Sequence, residues 1–169
     1  MIRRLIRLYK TIKETNEAQI KANYMISPKL NQKELDGITY FNSDLYVKAC
    51  GARIAYTAKT TFGETIILTD DEFETLPKDL RKFILYHELG HQINGDLNRP
   101  VEELQKVMRN RNRRKVSEME LKADEYALSK TDLETALRVM DFLKDLTKRL
   151  GLSSAEIKQR RKYLLKISK

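Results

Sequence analysis

The amino-acid sequence predicts an α+β fold in which a small, mainly antiparallel sheet is combined with several helices. Its 169 residues have the length of one ordinary domain, so we expect residues 1–169 to form a single domain. Between Ile38 and Leu68 the residues are β-prone and glycines break the segment, which favours short strands. The residues on both sides carry helical spacing of apolar side chains or patterns that cap helices.

The composition favours a soluble globular protein. Hydrophobic residues make up 41% of the chain and charged residues 34%, with a formal net charge of +9, which is not the apolar-poor profile of disorder. The single cysteine, Cys50, excludes an intramolecular disulfide. No apolar run reaches the length of a membrane span or of a signal peptide. We therefore expect a cytoplasmic protein without an integral membrane segment.

Residues 1–24 are predicted to form an N-terminal amphipathic helix that either packs on the domain, which is the preferred interpretation, or lies on another surface. The segment has no proline or glycine, and Ser27-Pro28 and Asp36-Gly37 interrupt the chain after it. Its apolar side chains lie near helical spacing at Ile2, Leu5, Ile6, Tyr9 and Ile12.

Three segments are predicted as strands of the sheet. They are Leu45–Val47, Arg53–Lys59, in which apolar and polar residues alternate, and Thr65–Leu68. Gly51 and Gly63 stand at the breaks between them.

A central helix is predicted to begin at Thr75-Leu76-Pro77 and to end at Asn94-Gly95. Thr75 would cap this helix, and Pro77 suits a first turn, where its missing N–H costs nothing. Gly95 would supply the C-terminal stop. Apolar residues occur on all sides of this helix, so we expect it to be buried in the middle of the domain.

The C-terminal part, residues 131–169, is predicted to be helical. A helix over about residues 117–129 follows a polar connecting segment. Thr131 with Glu134 and Ser153 with Glu156 then match the capping-box pattern, which predicts helices over 132–149 and 154–167.

The central helix contains the motif His87-Glu88-Leu89-Gly90-His91. Residues four apart share a helix face, so both imidazoles can bind one metal ion. Glu88 lies beside the first histidine and can reach a water on that metal without being a ligand. This pattern is typical of zinc hydrolases, and these two residues are the only histidines of the chain.

A catalytic zinc site usually takes three protein ligands, and with no further histidine the third must be a carboxylate. The segment after Ser117 offers four candidates, and two of them, Glu120 and Asp124, share a helix face. The other two are Glu118 and Glu125. Asp124 could accept a hydrogen bond from a ligand histidine, or instead cap a turn or pair with Lys122 or Lys130.

The two motifs together, His87-Glu-Leu-Gly-His91 with Asn94-Gly-Asp96 and then Glu120-Leu-Lys-Ala-Asp124, resemble the gluzincin metallopeptidases. The resemblance is to the branch of prenyl-protein endopeptidases, heat-shock membrane zinc proteases and soluble minigluzincins, and it covers about residues 60–127. It implies that Glu120 is the third zinc ligand and that Asp124 orients a zinc-bound histidine. The catalytic core would then span 38–129, with the sheet packed on the two motif-bearing helices.

The resemblance implies a Zn²⁺-dependent endopeptidase that acts on a peptide or protein substrate, with Glu88 as general base. A substrate strand would add to a sheet edge formed by Thr60, Thr61, Phe62 and Gly63, unless that segment is a plain hairpin. The membrane helices of the membrane members are absent, which points to a soluble, minimal member. Without another histidine, the oxyanion would be stabilised by Tyr126, by an arginine or by the zinc alone.

A second hypothesis is a module that binds nucleic acid or an acidic partner, with a structural or vestigial metal site. It rests on the basic run from Arg109 to Lys115 and on a basic C-terminal helix. That helix contributes Lys158, Arg160, Arg161, Lys162 and Lys166. Aromatic residues are not interleaved with these charges as single-strand binding would require, so the enzyme hypothesis is preferred.

Overall fold

The computed structural model describes residues 31–49, 52–60, 63–98 and 116–169. The predicted N-terminal helix over 1–24, Cys50 and the basic run 109–115 lie outside these ranges. Among the described residues, no helix combines the length and the apolar character needed to cross a bilayer. The chain divides into two compact units, one ending at Thr75 and the other beginning at Leu76.

The first unit contains the sheet. Its strands are β1 (Asn31–Leu35), β2 (Ile38–Asn42), β3 (Ala55–Lys59) and β4 (Thr65–Thr69). They lie in the order β1-β2-β4-β3, with β2 and β4 parallel and the other two pairs antiparallel. The predicted fold class, an α+β protein with a small and mainly antiparallel sheet, is therefore confirmed. The predicted packing of this sheet on the motif-bearing helices stays a prediction.

The strand β1 is not predicted from the sequence. Its residues Asn31–Leu35 are polar apart from the last one and mostly exposed, so they carry no apolar alternation. The turn after it explains the pairing, because Asp36 and Gly37 both take left-handed backbone angles, with φ of 56° and 77°. A two-residue turn of this kind fits the twist of an antiparallel hairpin and sets the register of β1 on β2.

The prediction of a strand at Leu45–Val47 is wrong, because these residues belong to a short helix, α1 (Asp44–Ala49). An apolar run this short does not distinguish a strand from a buried helical turn. Lys48 pairs with Asp44 one helical turn earlier. Val47 is fully buried and packs with Ala58 of β3 and Leu68 of β4, so α1 covers part of the sheet.

A second short helix, α2 (Asp71–Thr75), follows β4 directly. The buried carboxylate of Asp70 accepts hydrogen bonds from the backbone N–H groups of Phe73 and Ile54, at 3.0 and 2.7 Å. Ile54 has an unusual φ of 71° for a branched residue. Asp70 therefore fixes both the start of α2 and the entry into β3.

The second unit is helical. Its elements are α3 (Lys78–Ile93), a 3₁₀ turn (Asp96–Asn98), α4 (Glu118–Lys130), α5 (Leu133–Arg149) and α6 (Ala155–Ile167). α3 packs along α4 and against α5, and α6 packs against both α4 and α5. Side chains of all four helices form its core: Leu80, Phe83, Ile84, Leu85, Ala123, Ala127, Ala136, Val139, Met140, Leu146, Ile157 and Leu164.

The helices of this unit lie close to their predicted ranges, but three of the predicted caps are shifted. Pro77, not Thr75, is the N-cap of α3, because Thr75 ends α2. The next two caps are each one residue later than predicted. Asp132 caps α5 by accepting from the Thr135 N–H at 2.7 Å, in place of Thr131. Ser154 stands at the N-cap of α6 in place of Ser153.

Helices α3 and α4 approach each other closely at Gly90. A Cβ atom at this position would lie 3.0 Å from the Cα and 3.2 Å from the carbonyl oxygen of Ala123. Both of these are backbone atoms, which cannot move without moving α4. The absence of a side chain at Gly90 is therefore what allows the two helices to meet where the predicted ligands lie.

Candidate metal centre

The helix α3 places both histidines of the motif on one face. The four-residue spacing brings the Nε2 atoms of His87 and His91 to 3.2 Å from each other, with the rings at 89°. His87 is buried and His91 is half-buried. The two imidazoles therefore converge on one point, as the sequence predicts.

The helix α4 adds Glu120 to this point. Its Oε2 lies 3.5 Å from the Nε2 of His87, and its Oε1 lies 3.7 Å from the Nε2 of His91. One ligand atom from each of the three side chains falls within 4.8 Å of the others. Of the four carboxylates that the sequence offers, Glu120 is the one that joins the histidines in this cluster.

The outward-facing nitrogen of each histidine contacts a buried carboxylate. The Nδ1 of His87 lies 2.9 Å from the Oδ1 of Asp124, and the Nδ1 of His91 lies 2.8 Å from the Oδ2 of Asp96. A carboxylate accepts a hydrogen bond here, so in the neutral form of each ring the proton is on Nδ1 and the Nε2 is left to act as an acceptor or a metal ligand.

This donor set fits a divalent metal ion. Two imidazole nitrogens and a carboxylate are gathered within a few ångströms, and as neutral rings both histidines would present lone pairs to each other at 3.2 Å. Such an arrangement is repulsive unless a proton or a cation lies between the groups. The contacts of Asp124 and Asp96 are the ones that hold ligand histidines in metal sites.

The contacts of Asp124 agree with one of the roles left open by the sequence. Its side chain is fully buried against His87, whereas Lys122 pairs with Glu118 and Lys130 lies over the ring of Tyr126. Asp96 is a residue whose role the sequence did not reveal. The sequence feature that could have indicated Asp96 is its position directly after Asn94-Gly95, at the turn that ends α3.

A buried arginine from α6, Arg160, completes the cluster and was not predicted as part of it. Its Nε donates to the Oδ2 of Asp124 at 2.7 Å and its Nη2 donates to the Oδ1 at 2.6 Å, so it grips that carboxylate with two bonds. Its Nη1 also lies 3.1 Å from the Oε2 of Glu120. Arg160 is only 7% exposed, although 36 residues separate it from Asp124 in the sequence.

The electrostatics of the metal-free cluster follow from these contacts. Burial and the charge of Arg160 lower the pKa of His87, but hydrogen bonds to Asp124 and Glu120 and the charge of Asp124 outweigh them and raise the pKa to about 9. Burial raises the pKa of Asp124 and of Glu120, but the positive charge of Arg160 together with hydrogen bonds and charges from the neighbouring histidines outweighs it, so both carboxyls have pKa values below their usual range. Both acids are therefore ionised at neutral pH.

Glu88 and Tyr126 lie on the two helices that carry the ligands. Glu88 is half-buried and follows His87 directly on α3. The ring of Tyr126 packs edge-on against Tyr86 at 6.4 Å, and its Cβ adjoins Gly90. The role of Glu88 as a base and of Tyr126 in oxyanion stabilisation stay predictions.

Thr60 and Gly63, the two described residues of the segment predicted to bind substrate, lie at the turn between β3 and β4. The N–H of Gly63 donates to the carbonyl of Thr60 at 3.0 Å, and Gly63 has a φ of 84°. Thr61 and Phe62 lie outside the described residues. The outer strand next to this turn is β3, and the substrate-binding role of the segment stays a prediction.

The basic C-terminal helix of the second hypothesis, α6, has one fewer surface charge than the sequence suggests. Arg160 points into the cluster and is neutralised by Asp124 and Glu120. The remaining four basic residues are exposed or half-buried: Lys158, Arg161, Lys162 and Lys166. One of the charges on which that hypothesis depends is therefore part of the candidate metal centre.

No protein-family model, curated protein or solved structure matches the chain.

Proposed function

We propose that this protein is a zinc-dependent endopeptidase of the gluzincin type. The observation that carries the proposal is the convergence of His87, His91 and Glu120, with both Nδ1 atoms of the histidines on buried carboxylates. Two histidines and a glutamate are a ligand set of catalytic zinc sites, which leave a fourth position for water. A structural zinc site is usually closed by four protein ligands.

Zinc suits these donors because imidazole nitrogen and carboxylate oxygen are both among its ordinary ligands. When bound, the ion would lower the pKa of a water molecule toward neutrality and polarise the carbonyl group of a peptide bond. The side chains of His87, His91 and Glu120 would hold it, and Asp124 and Asp96 would keep the two rings in the required tautomer.

The chain's own residues supply the proton transfers. Glu88 stands beside His87 on α3, and its carboxylate takes the proton of the attacking water. The same group then delivers that proton to the leaving amine, which completes the hydrolysis of the peptide bond. Arg160 takes no direct part in this proposal, because Asp124 and Glu120 already occupy its guanidinium group.

Peptide or protein segments are the substrates in this proposal, and a cytoplasmic location is part of it. The support for the location is the single cysteine, since proteins of oxidising compartments often rely on disulfide pairs.

The test combines metal content with proteolysis. The protein is purified without added metal, its zinc is measured by elemental analysis, and cleavage of unfolded casein and of a quenched fluorescent peptide library is followed. We expect near-stoichiometric zinc, cleavage that a chelator abolishes and zinc restores, and a loss of at least about 100-fold in Glu88→Gln.

Two variants separate catalysis from metal binding. Glu88→Gln is expected to retain zinc, whereas Glu120→Ala is expected to lose it. Glu118→Gln, an exposed change at the start of α4, serves as the matched control and is expected to cleave like the wild type. Undiminished cleavage by Glu88→Gln, or no cleavage by the zinc-loaded wild type, would refute the proposed function.

A further inference from the structure

The two carboxylate oxygens of Glu120 have different surroundings. The Oε2 atom is 3.1 Å from the Nη1 of Arg160, within reach of a charge-assisted hydrogen bond. Oε2 also lies 3.5 Å from the Nε2 of His87, and the Oε1 atom lies 3.7 Å from the Nε2 of His91. Each oxygen therefore faces one of the two histidines, and Oε2 is the one that Arg160 also contacts.

Arg160 is held firmly in this position. Its Nε and Nη2 grip the fully buried Asp124, which leaves Nη1 directed at Glu120. Its helix α6 is anchored on either side by Ile157 and Leu164, which are buried in the core of the second unit. A planar guanidinium fixed along one edge has little freedom to withdraw its remaining nitrogen.

We propose that Arg160 is a positioning residue that reserves one oxygen of Glu120 and leaves only the other for the metal ion. This inference rests on the metal centre of the proposed function. A carboxylate that is free at both oxygens can take a metal ion through either or both of them. With Oε2 held by Arg160, Glu120 contributes one donor, so the centre keeps a position for water or substrate.

A purely structural role for Arg160 makes a different prediction. In that case its positive charge would serve only to offset the buried Asp124, and any cation at this position would suffice. Arg160→Lys distinguishes the two roles, because lysine retains the charge but has a single ammonium group in place of the fork. That group would stay with Asp124, which is the more buried acid, and would free the Oε2 of Glu120.

The experiment measures the number of metal donors, not enzyme activity. Wild type, Arg160→Lys and Arg160→Gln are loaded with one equivalent of Zn²⁺ for X-ray absorption, and with Co²⁺ for visible spectra. The matched control is Arg161→Gln, since Arg161 is the next residue of α6 and its half-exposed side chain pairs with Asp141. Circular dichroism of each metal-free variant reports whether it folds.

We expect about four donors in the wild type and in Arg161→Gln, and about five in both Arg160 variants. The cobalt bands of the Arg160 variants should be weaker, because a five-coordinate ion absorbs less than a tetrahedral one. Metal affinity is not the criterion, since losing a nearby positive charge and losing the position of Glu120 change it in opposite directions.

An unchanged coordination number in either Arg160 variant that folds would overturn the inference, and so would a wild type with five donors or with no bound metal. Arg160→Gln covers the case in which Arg160→Lys does not fold, because its neutral amide can still donate to Asp124. If the variants differ as expected but the wild type cleaves no peptide, the inference holds and the proposed function fails.

Discussion

Gly90→Ala tests whether the close approach of α3 and α4 sets the geometry of the metal centre. The new Cβ would lie 3.0 Å from the Cα of Ala123, whereas carbon atoms in contact prefer about 3.5–4.0 Å. The helices must therefore separate locally by about half an ångström or more. Shortening the side chain of Ala123 would not help, because the contacts are with its backbone.

This separation should weaken metal binding more than it weakens the fold. Overpacking costs about 1–3 kcal/mol, and the better helix propensity of alanine returns about 1 kcal/mol, so the metal-free protein should lose roughly 0–2 kcal/mol. Zinc–ligand distances tolerate deviations of only about 0.2 Å from their ideal values. Since His91 adjoins Gly90 and Asp124 adjoins Ala123, we expect zinc affinity to fall by about tenfold or more.

The assay is competition for zinc with a chromophoric chelator, together with urea unfolding of the metal-free protein. Ile93→Ala is the control, because Ile93 lies on the same helix but is 58% exposed. It should change neither quantity appreciably. If Gly90→Ala binds zinc as tightly as the wild type, the close approach of α3 and α4 does not determine the site and the reasoning fails.

Three further predictions concern single groups. First, the pKa of His87 rises from 6.5 to about 9 in the folded metal-free protein, so its proton favours folding. This stabilisation, roughly 3 kcal/mol, should be complete below about pH 6.5 and lost as the pH rises through about 9, as urea unfolding with chelator present would show. A flat profile between these pH values would contradict it. Second, Asp96→Asn should lower zinc affinity about 10–100-fold in the chelator assay, because it weakens the hydrogen bond that orients His91; unchanged affinity would show that His91 needs no such support. Third, Asp132→Ala should destabilise the protein by about 1 kcal/mol in thermal unfolding without changing zinc binding, because it removes the hydrogen bonds that Asp132 accepts from the N–H and the hydroxyl of Thr135 at the start of α5. A parallel loss of zinc binding would contradict this prediction and show that the metal site depends on the cap of α5.

The sequence predicted those parts of the site that depend on local helix geometry. His87 and His91 are four residues apart on one helix, as are Glu120 and Asp124, and this spacing fixes which side chains share a face. The structure brings the two faces together. Helix ends were also predictable to within a few residues, because capping patterns are local.

The sequence could not predict features that depend on tertiary contacts. Arg160 stands in a run of basic residues that is typical of a solvated helix face, and its acidic partners are 36 and 40 residues away, so no local pattern marks it as buried. The helical turn containing Val47 was mistaken for a strand, because packing on the sheet decides its conformation. The strand β1 has so little apolar character that only its hairpin partner identifies it.

The contact between Arg160 and the cluster also bears on the order in which the site can assemble. Arg160 is translated 73 residues after His87, so the histidines and both acids emerge from the ribosome well before their positive partner. At that stage Glu120 has both oxygens free and Asp124 lacks its counter-ion. Under the proposed function, a bound metal ion would therefore reach its final coordination only after α6 docks, which would keep a nascent chain from hydrolysing peptides while its own segments are still unfolded.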